Sequence, residues 1–106
     1  MDQKKNKLIL SQDCTIRDAM AVLNESPLGI VMLVNGNQKL VGVATDGDIR
    51  RALVKGFSLD SFISEIMIKD PVVIKDGYNT NQALRMFSEK IKQIPVIDSE
   101  GEIKDL

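Results

Sequence analysis

The sequence contains one internal repeat, with an offset of 63 or 64 residues. Ala19 and Ala83 hold equivalent places in two predicted helices and are 64 positions apart. Leu40 and Ile103 begin two predicted strands and are 63 positions apart. A chain of 106 residues suits one domain. The repeat therefore predicts two similar units, at about 7–56 and about 60–106, that share a single core.

Each unit is predicted to contain a strand, a helix and two further strands joined by a tight turn. The elements of the first unit are, in order, strand 7–10, a helix capped by Thr15, strand 30–34, a turn at 35–37, strand 40–44 and a helix that begins at Thr45 and ends near Gly56. Strands 30–34 and 40–44 are apolar nearly throughout, which predicts burial on both faces.

The second unit follows the same order after a weaker helical segment at 60–67. Its predicted elements are strand 72–74, a helix with the apolar residues Ala83, Leu84, Phe87 and Ile91, strand 94–97, a turn at 99–101 and a strand from Ile103. The chain ends at Leu106, where this third strand has barely begun. We therefore expect the second unit to be truncated and a further domain to follow it.

Composition and charge exclude several classes of function. The net charge of −1 and the sequence pI of about 5.4 argue against nucleic-acid binding. Apolar runs such as 30–34 reach only five residues, far short of a membrane span. The apolar run 8–10 behind the basic N-terminus is too short for a signal peptide, so we expect a cytoplasmic protein. With one cysteine, Cys14, and no histidine, the chain has no internal disulfide and no histidine base for nucleophilic catalysis.

The strand at 40–44 runs directly into a polar turn that opens a helix. Thr45 is a predicted N-cap, with Asp46 and Asp48 in the first turn, where the helix dipole favours negative charge. One interpretation is a well-capped helix, stabilised by about 1 kcal/mol. The other is a site that holds a ribose and its phosphates. Arg51 fits either interpretation, as an ion-pair partner of Asp48 three residues earlier or as a phosphate ligand.

These motifs, within a duplicated unit, resemble a pair of cystathionine-β-synthase-type (CBS) domains, also called a Bateman module. The resemblance covers the chain after residue 7 and rests on the run 42–48, on Ile66-Met67 and Asp70-Pro71 between the copies and on 94–98. It implies a fold of the α/β (α+β) class, in which two βαββα repeats pack with pseudo-two-fold symmetry.

The resemblance also implies a regulatory ligand, an adenine nucleotide of the AMP, ADP or ATP class, with no metal and no other cofactor required. The family's ribose- and phosphate-binding Thr and Asp correspond here to Thr45 and Asp48. The full set of nucleotide-binding residues expected on this basis is Thr45, Asp46, Gly47, Asp48, Arg51, Ile9 and Met32, the last two as neighbours of the adenine. The second unit lacks the Thr and Asp motif, so we expect one nucleotide per chain.

The run 45–51 most resembles the CBS pair that precedes a sugar-1-phosphate nucleotidyltransferase domain, and a similar motif follows sugar-phosphate isomerase domains. We therefore expect a C-terminal catalytic domain in the same chain, which this module regulates. CBS pairs form disc-like dimers, and we expect a homodimer through helix faces such as Ile16/Met20 or Leu84/Phe87. The alternative is a dimerisation or scaffold module of the same fold that binds no ligand. A stand-alone enzyme is disfavoured.

Overall fold

The computed structural model describes residues 8–26, 28–71, 73–75 and 94–105. These residues form a four-stranded sheet in the order β1-β2-β3-β4 and a three-stranded sheet in the order β5-β6-β7. The elements are β1 Ile9–Ser11, α1 Ile16–Asn24, β2 Ile30–Val34, β3 Leu40–Thr45, α2 Asp46–Val54, a 3₁₀ turn Ile63–Glu65, β4 Ile68–Lys69, β5 Ile74–Lys75, β6 Val96–Ile97 and β7 Ile103–Asp105. The mixed α/β (α+β) class is confirmed.

Strand β2 lies at the centre of the first unit and is buried along its whole length, as the sequence predicts. It pairs in parallel with β1 and antiparallel with β3. Its alternate side chains enter two clusters, because successive residues of a strand point to opposite faces. The helix-side cluster contains Ile16, Ala19, Leu23, Val31, Leu33, Ala44, Ile49, Ile63 and Met67. The opposite-face cluster contains Leu8, Ile30, Met32 and Val43.

The pairing of the strands confirms the internal repeat. Leu10 pairs with Leu33 in the first unit, and Ile74 pairs with Val96 in the second. Leu10 and Ile74 are 64 positions apart, whereas Leu33 and Val96 are 63 apart, so the single-residue slip lies between these two strands. A β-bulge then falls at the equivalent place in both antiparallel pairs, between residues 33 and 34 and between residues 96 and 97.

The two units meet at the ends of their hairpins. Lys39 and Glu102 form an isolated antiparallel bridge, and the backbone N–H of Leu40 donates to the carbonyl of Gly101 at 3.0 Å. Ile103 packs against the opposite-face cluster of the first unit. The side chains next to this joint therefore contribute to one shared core.

The helix predicted at 60–67 is wrong. Only the 3₁₀ turn Ile63–Glu65 is helical there, because hydrogen bonds to the residues at the start of α1 hold the rest of the segment in a non-helical conformation. The N–H of Ile16 donates to the carbonyl of Ser61 at 2.9 Å, and the N–H of Ile63 donates to that of Cys14 at 2.8 Å. Strand β4, which was not predicted, follows and pairs with β3.

Two further expectations concern helix faces. The predicted dimer face Ile16/Met20 is wrong for Ile16, which is completely buried within the chain, while Met20 on the same helix is 39% exposed. The predicted helix with Ala83, Leu84, Phe87 and Ile91 lies outside the described residues. Within the described ranges, no helix combines the length and the apolar character needed to cross a bilayer.

Candidate functional site

The turn between β3 and α2 is a complete capping box, as the sequence predicts. Thr45 has an extended backbone, which directs its hydroxyl back over the first turn of α2. Its Oγ1 accepts a hydrogen bond from the N–H of Asp48 at 3.2 Å. Asp48 Oδ2 accepts in return from the N–H of Thr45 at 2.9 Å and from its hydroxyl at 3.0 Å. The polar groups at this helix end are thus held by each other.

Arg51 covers the free side of the Asp48 carboxylate. Its Nη2 donates to Asp48 Oδ1 at 2.8 Å, and the two side chains are 67% and 12% exposed. Gly47 makes room for this contact, since a Cβ at position 47 would lie 3.1 Å from Arg51 Nη1. The sequence prediction of an Asp48–Arg51 pair is confirmed as a contact.

A cavity of about 260 Å³ lies beside this ion pair. It is lined by Asp48, Arg51, Ala52, Lys55, Phe57, Glu65 and Ile66. The lining combines two carboxylates, that of Asp48 at a helix start and that of Glu65, with two cations and with apolar side chains. We refer to it as the Asp48 cavity. Its volume is slightly below the range of about 300–1,000 Å³ that is usual for small-molecule sites.

Asp46 belongs to a different cavity, although only one residue separates it from Asp48. A volume of about 380 Å³ between α1, the start of α2 and Leu59 is lined by Arg17, Met20, Ala21, Asn24, Asp46 and Leu59. Two residues along a helix correspond to about 200°, which places the two carboxylates on opposite sides of α2. Among the described residues no group of three or more His, Cys, Asp or Glu could hold a metal ion.

The two predicted adenine neighbours lie together but away from the Asp48 cavity. Ile9 pairs with Met32 across β1 and β2, and both belong to the face of the sheet that carries the opposite-face cluster. Met32 is completely buried, whereas Ile9 is half-buried at the edge of the sheet. Neither side chain lines the Asp48 cavity. Their contact with a nucleotide stays a prediction.

Several residues of the Asp48 cavity were not predicted from the sequence. Lys55 could have been found, because it follows Arg51 by four residues and so lies on the same side of α2. Phe57 lies just beyond the turn at Gly56. Glu65 and Ile66 carry no local signal, since only the packing of the 3₁₀ turn brings them to the cavity.

The described residues around Cys14 do not activate its thiol. Burial, followed by the nearby charge of Asp18, raises the pKa of the thiol to about 11. The thiol is therefore protonated at neutral pH, and a thiolate is the nucleophilic form of cysteine. Its partly buried side chain packs against the helix-side cluster, which agrees with a structural role.

Comparison with known proteins supports the interpretation of the repeat. A family model described as CBS domain matches residues 4–55 and 63–105, one match in each copy. The chain belongs to the CBS domain family. The resemblance noted in the sequence is thereby confirmed, and the chain is a CBS pair.

The curated relatives of this CBS pair are longer proteins. An uncharacterised protein of Helicobacter pylori is 39% identical over 70% of this chain and 22% of its own length. Arabinose 5-phosphate isomerase GutQ of Escherichia coli is 32% identical over 84% of this chain and 28% of its own length. Inosine-5'-monophosphate dehydrogenase of Nitrosopumilus maritimus is 29% identical over 96% of this chain and 21% of its own length. The chain thus spans less than a third of each of these relatives.

Solved structures show the same fold. A CBS domain protein from Pyrobaculum aerophilum complexed with AMP superimposes with a TM-score of 0.77 at 23% identity, covering 96% of this chain and 83% of that one. CBSX2 from Arabidopsis thaliana, in complex with AMP, gives a TM-score of 0.76 at 24% identity and covers 92% of this chain and 77% of that one. At these identities the comparison establishes the architecture.

Proposed function

We propose that this CBS pair is a regulatory module that binds one adenine nucleotide per chain at the start of α2. The observation that carries the proposal is the Asp48 carboxylate, held by Thr45 at a helix start and facing a cavity with Arg51 and Lys55. Structures of the same fold contain AMP, which makes this nucleotide the first candidate ligand.

The chemistry of the Asp48 cavity suits a nucleotide. A carboxylate accepts hydrogen bonds from ribose hydroxyls. Arg51 and Lys55, which line the cavity along the flank of α2, favour a phosphate because charge-assisted hydrogen bonds from cations to phosphate are strong. Phe57 and Ile66 offer apolar surface to a base. Each part of a nucleotide therefore has a partner of matching chemistry.

Calorimetric titration of the 106-residue chain with AMP, ADP, ATP, GMP and GTP tests the proposal. We expect saturable binding of an adenine nucleotide with a stoichiometry of one. At a concentration of about 100 times its dissociation constant, the ligand should add about 2.7 kcal/mol to the free energy of unfolding. Absence of heat and of any shift in melting temperature at millimolar nucleotide would leave the alternative, a dimerisation or scaffold module that binds no ligand.

We further propose that the module regulates a catalytic domain in the same, longer chain, and that this domain is a sugar-1-phosphate nucleotidyltransferase. The run 45–51 supports this assignment through its resemblance to the CBS pairs of such enzymes. The similarity to arabinose 5-phosphate isomerase GutQ favours a sugar-phosphate isomerase as the second candidate. Assaying the natural full-length protein for both reactions, with and without AMP, decides between them. A native gene that stops after codon 106 would contradict both.

We also infer that the module forms a homodimer in the cytoplasm. Met20 and Leu28 are 39% and 37% exposed, and Met20 borders the cavity that also contains Ala21 and Leu59. Exposed apolar side chains beside a cavity suit an interface with a second copy. Sedimentation analysis should show a dimer that Met20→Glu weakens, whereas Val54→Glu, a change at a highly exposed residue away from that cavity, should leave it intact. A wild-type monomer at high concentration would contradict the inference.

A further inference from the structure

The Asp48 carboxylate has few free positions for a ligand. Its Oδ2 already accepts two hydrogen bonds from Thr45, and its Oδ1 accepts one from Arg51. A carboxylate has about four acceptor positions, so only one position on Oδ1 is left. A ribose diol needs two acceptors, one for each hydroxyl. Asp48 cannot bind both hydroxyls until one existing partner leaves.

Arg51 is the partner that is easier to displace. The Thr45 bonds are local and form the cap on which the start of α2 depends. The Arg51 side chain is 67% exposed, so water can solvate its guanidinium once it leaves Asp48, whose own side chain is only 12% exposed. Arg51 is also a wall of the Asp48 cavity, so its departure would enlarge a volume that is slightly small for a ligand.

We propose that Arg51 is the residue that makes this site select nucleotides over nucleosides. This inference rests on the proposed function. A ribose that binds Asp48 displaces Arg51 and costs the ion pair. A 5′-phosphate gives the guanidinium a new anionic partner, in a paired geometry that suits Arg, whereas a nucleoside gives it none. The same side chain therefore opposes adenosine and assists AMP.

Gly47 provides an independent way to disturb the Asp48–Arg51 contact. A Cβ at this position would lie 3.1 Å from Nη1 and 3.3 Å from Nη2 of Arg51. Its backbone φ is not positive, and alanine is favourable within a helix. Gly47→Ala should therefore shift the guanidinium by a few tenths of an ångström and weaken its contact with Asp48, while the positive charge of Arg51 stays in the chain.

Titration of four proteins with adenosine and with AMP tests the proposal: the wild type, Arg51→Gln, Gly47→Ala and Arg50→Gln. Arg50 is exposed, carries the same charge and does not line the Asp48 cavity, so its variant is the matched control. We expect the preference of the wild type for AMP over adenosine to fall by about tenfold or more in Arg51→Gln, the effect of one charge-assisted contact. The preference should be unchanged in Arg50→Gln.

The direction of the adenosine result is decisive. The proposal requires adenosine to bind Arg51→Gln and Gly47→Ala more tightly than it binds the wild type. A residue that only contacts phosphate would weaken AMP binding and leave adenosine binding unchanged, which would overturn the proposal while the nucleotide site stands. Absence of AMP binding to the wild type would overturn the proposed function together with this inference.

Discussion

Lys39 and Glu102 are 63 positions apart and pair with each other across the joint between the two sheets. Each is the residue that leads out of the turn of its own hairpin, so they are equivalent positions of the repeat. An antiparallel bridge between equivalent residues places a local two-fold axis between them. The Lys39 ammonium lies 3.9 Å from the carboxylate of Glu100 at the same joint. The two copies of the repeat are therefore in direct contact through equivalent residues.

The residue before this bridge has a positive φ in both hairpins, 63° at Gln38 and 85° at Gly101. Gly101→Ala should destabilise the protein by about 1 kcal/mol, because a left-handed backbone costs an L-residue about 1–2 kcal/mol. Gln38→Gly should relieve the same strain and stabilise by a few tenths of a kcal/mol, since the extra freedom of glycine in the unfolded chain offsets part of the gain.

Urea denaturation measures both effects. Gly36→Ala is the control, because this glycine has no positive φ and a Cβ there would meet nothing within 4 Å. Its free energy of unfolding should stay close to that of the wild type. Equal stabilities of the Gly101→Ala and Gly36→Ala proteins would contradict the assignment of strain to position 101.

The turn at Asn35 illustrates what the sequence could and could not predict. The Asn-Gly pair at 35–36 correctly predicts a hairpin, and Asn35 Oδ1 accepts from the N–H groups of residues 37 and 39. The residue with positive φ is Gln38, which the sequence does not reveal because glutamine is not enriched in that conformation. Local polar chemistry was predictable, while the backbone state that closes the bulged hairpin was not.

In the candidate site, too, local contacts could be predicted from the sequence and long-range contacts could not. The Thr45 cap and the Asp48–Arg51 pair lie within seven consecutive residues, so helical spacing alone predicts them. The wall formed by Glu65 and Ile66 depends on hydrogen bonds between residues about 50 positions apart, such as that from the N–H of Ile63 to Cys14. The apolar spacing of 60–67 resembles that of a helix, but these tertiary bonds determine its conformation.

Gly42 allows β4 to approach β3. A Cβ at this position would lie 2.6 Å from Met67 Sδ and 3.0 Å from the carbonyl oxygen of Ile68. Met67 could move, but the backbone of β4 could not do so without losing its pairing with β3. Gly42→Ala should therefore destabilise by about 1–3 kcal/mol, the usual effect of an overpacked core. Thermal unfolding beside Gly36→Ala measures this, and equal melting temperatures of the two variants would contradict it.

Thr15 and Thr45 cap the two described helices with the same box, which allows the cap and the ligand site to be separated. Each Thr→Ala change should cost about 1 kcal/mol of stability. Only Thr45→Ala should also weaken nucleotide binding, and Asp48→Asn should weaken it while costing the free protein less stability than the loss of Thr45. Chemical denaturation and calorimetry on the three variants test this. Nucleotide binding that falls equally in Thr15→Ala would point to a general loss of folding.

Asp98 holds the second hairpin in the way that Asn35 holds the first. Its Oδ1 accepts from the N–H of Glu102 at 3.0 Å and of Glu100 at 2.9 Å. The hydrogen bond from Glu102, with smaller effects from Glu100, Lys104 and Lys39, holds the pKa of Asp98 below its ordinary value of 3.8. Because the pKa is lower in the folded protein, the stabilisation is complete above the ordinary pKa and is lost as the pH falls through the folded value.

Two single changes, Asp98→Asn and Asn35→Asp, test this dependence on pH. Asp98→Asn keeps an acceptor for both N–H groups, as Asn35 shows, but cannot titrate. Between about pH 5 and pH 2 its free energy of unfolding should therefore fall less steeply than that of the wild type. Asn35→Asp introduces the same group into the first hairpin and should make the fall steeper. Since Asp18 and the other carboxyl groups are common to all three proteins, each variant's difference from the wild-type profile isolates the substituted position, 98 or 35. Superimposable profiles for the wild type and Asp98→Asn would show that this carboxylate is not linked to folding.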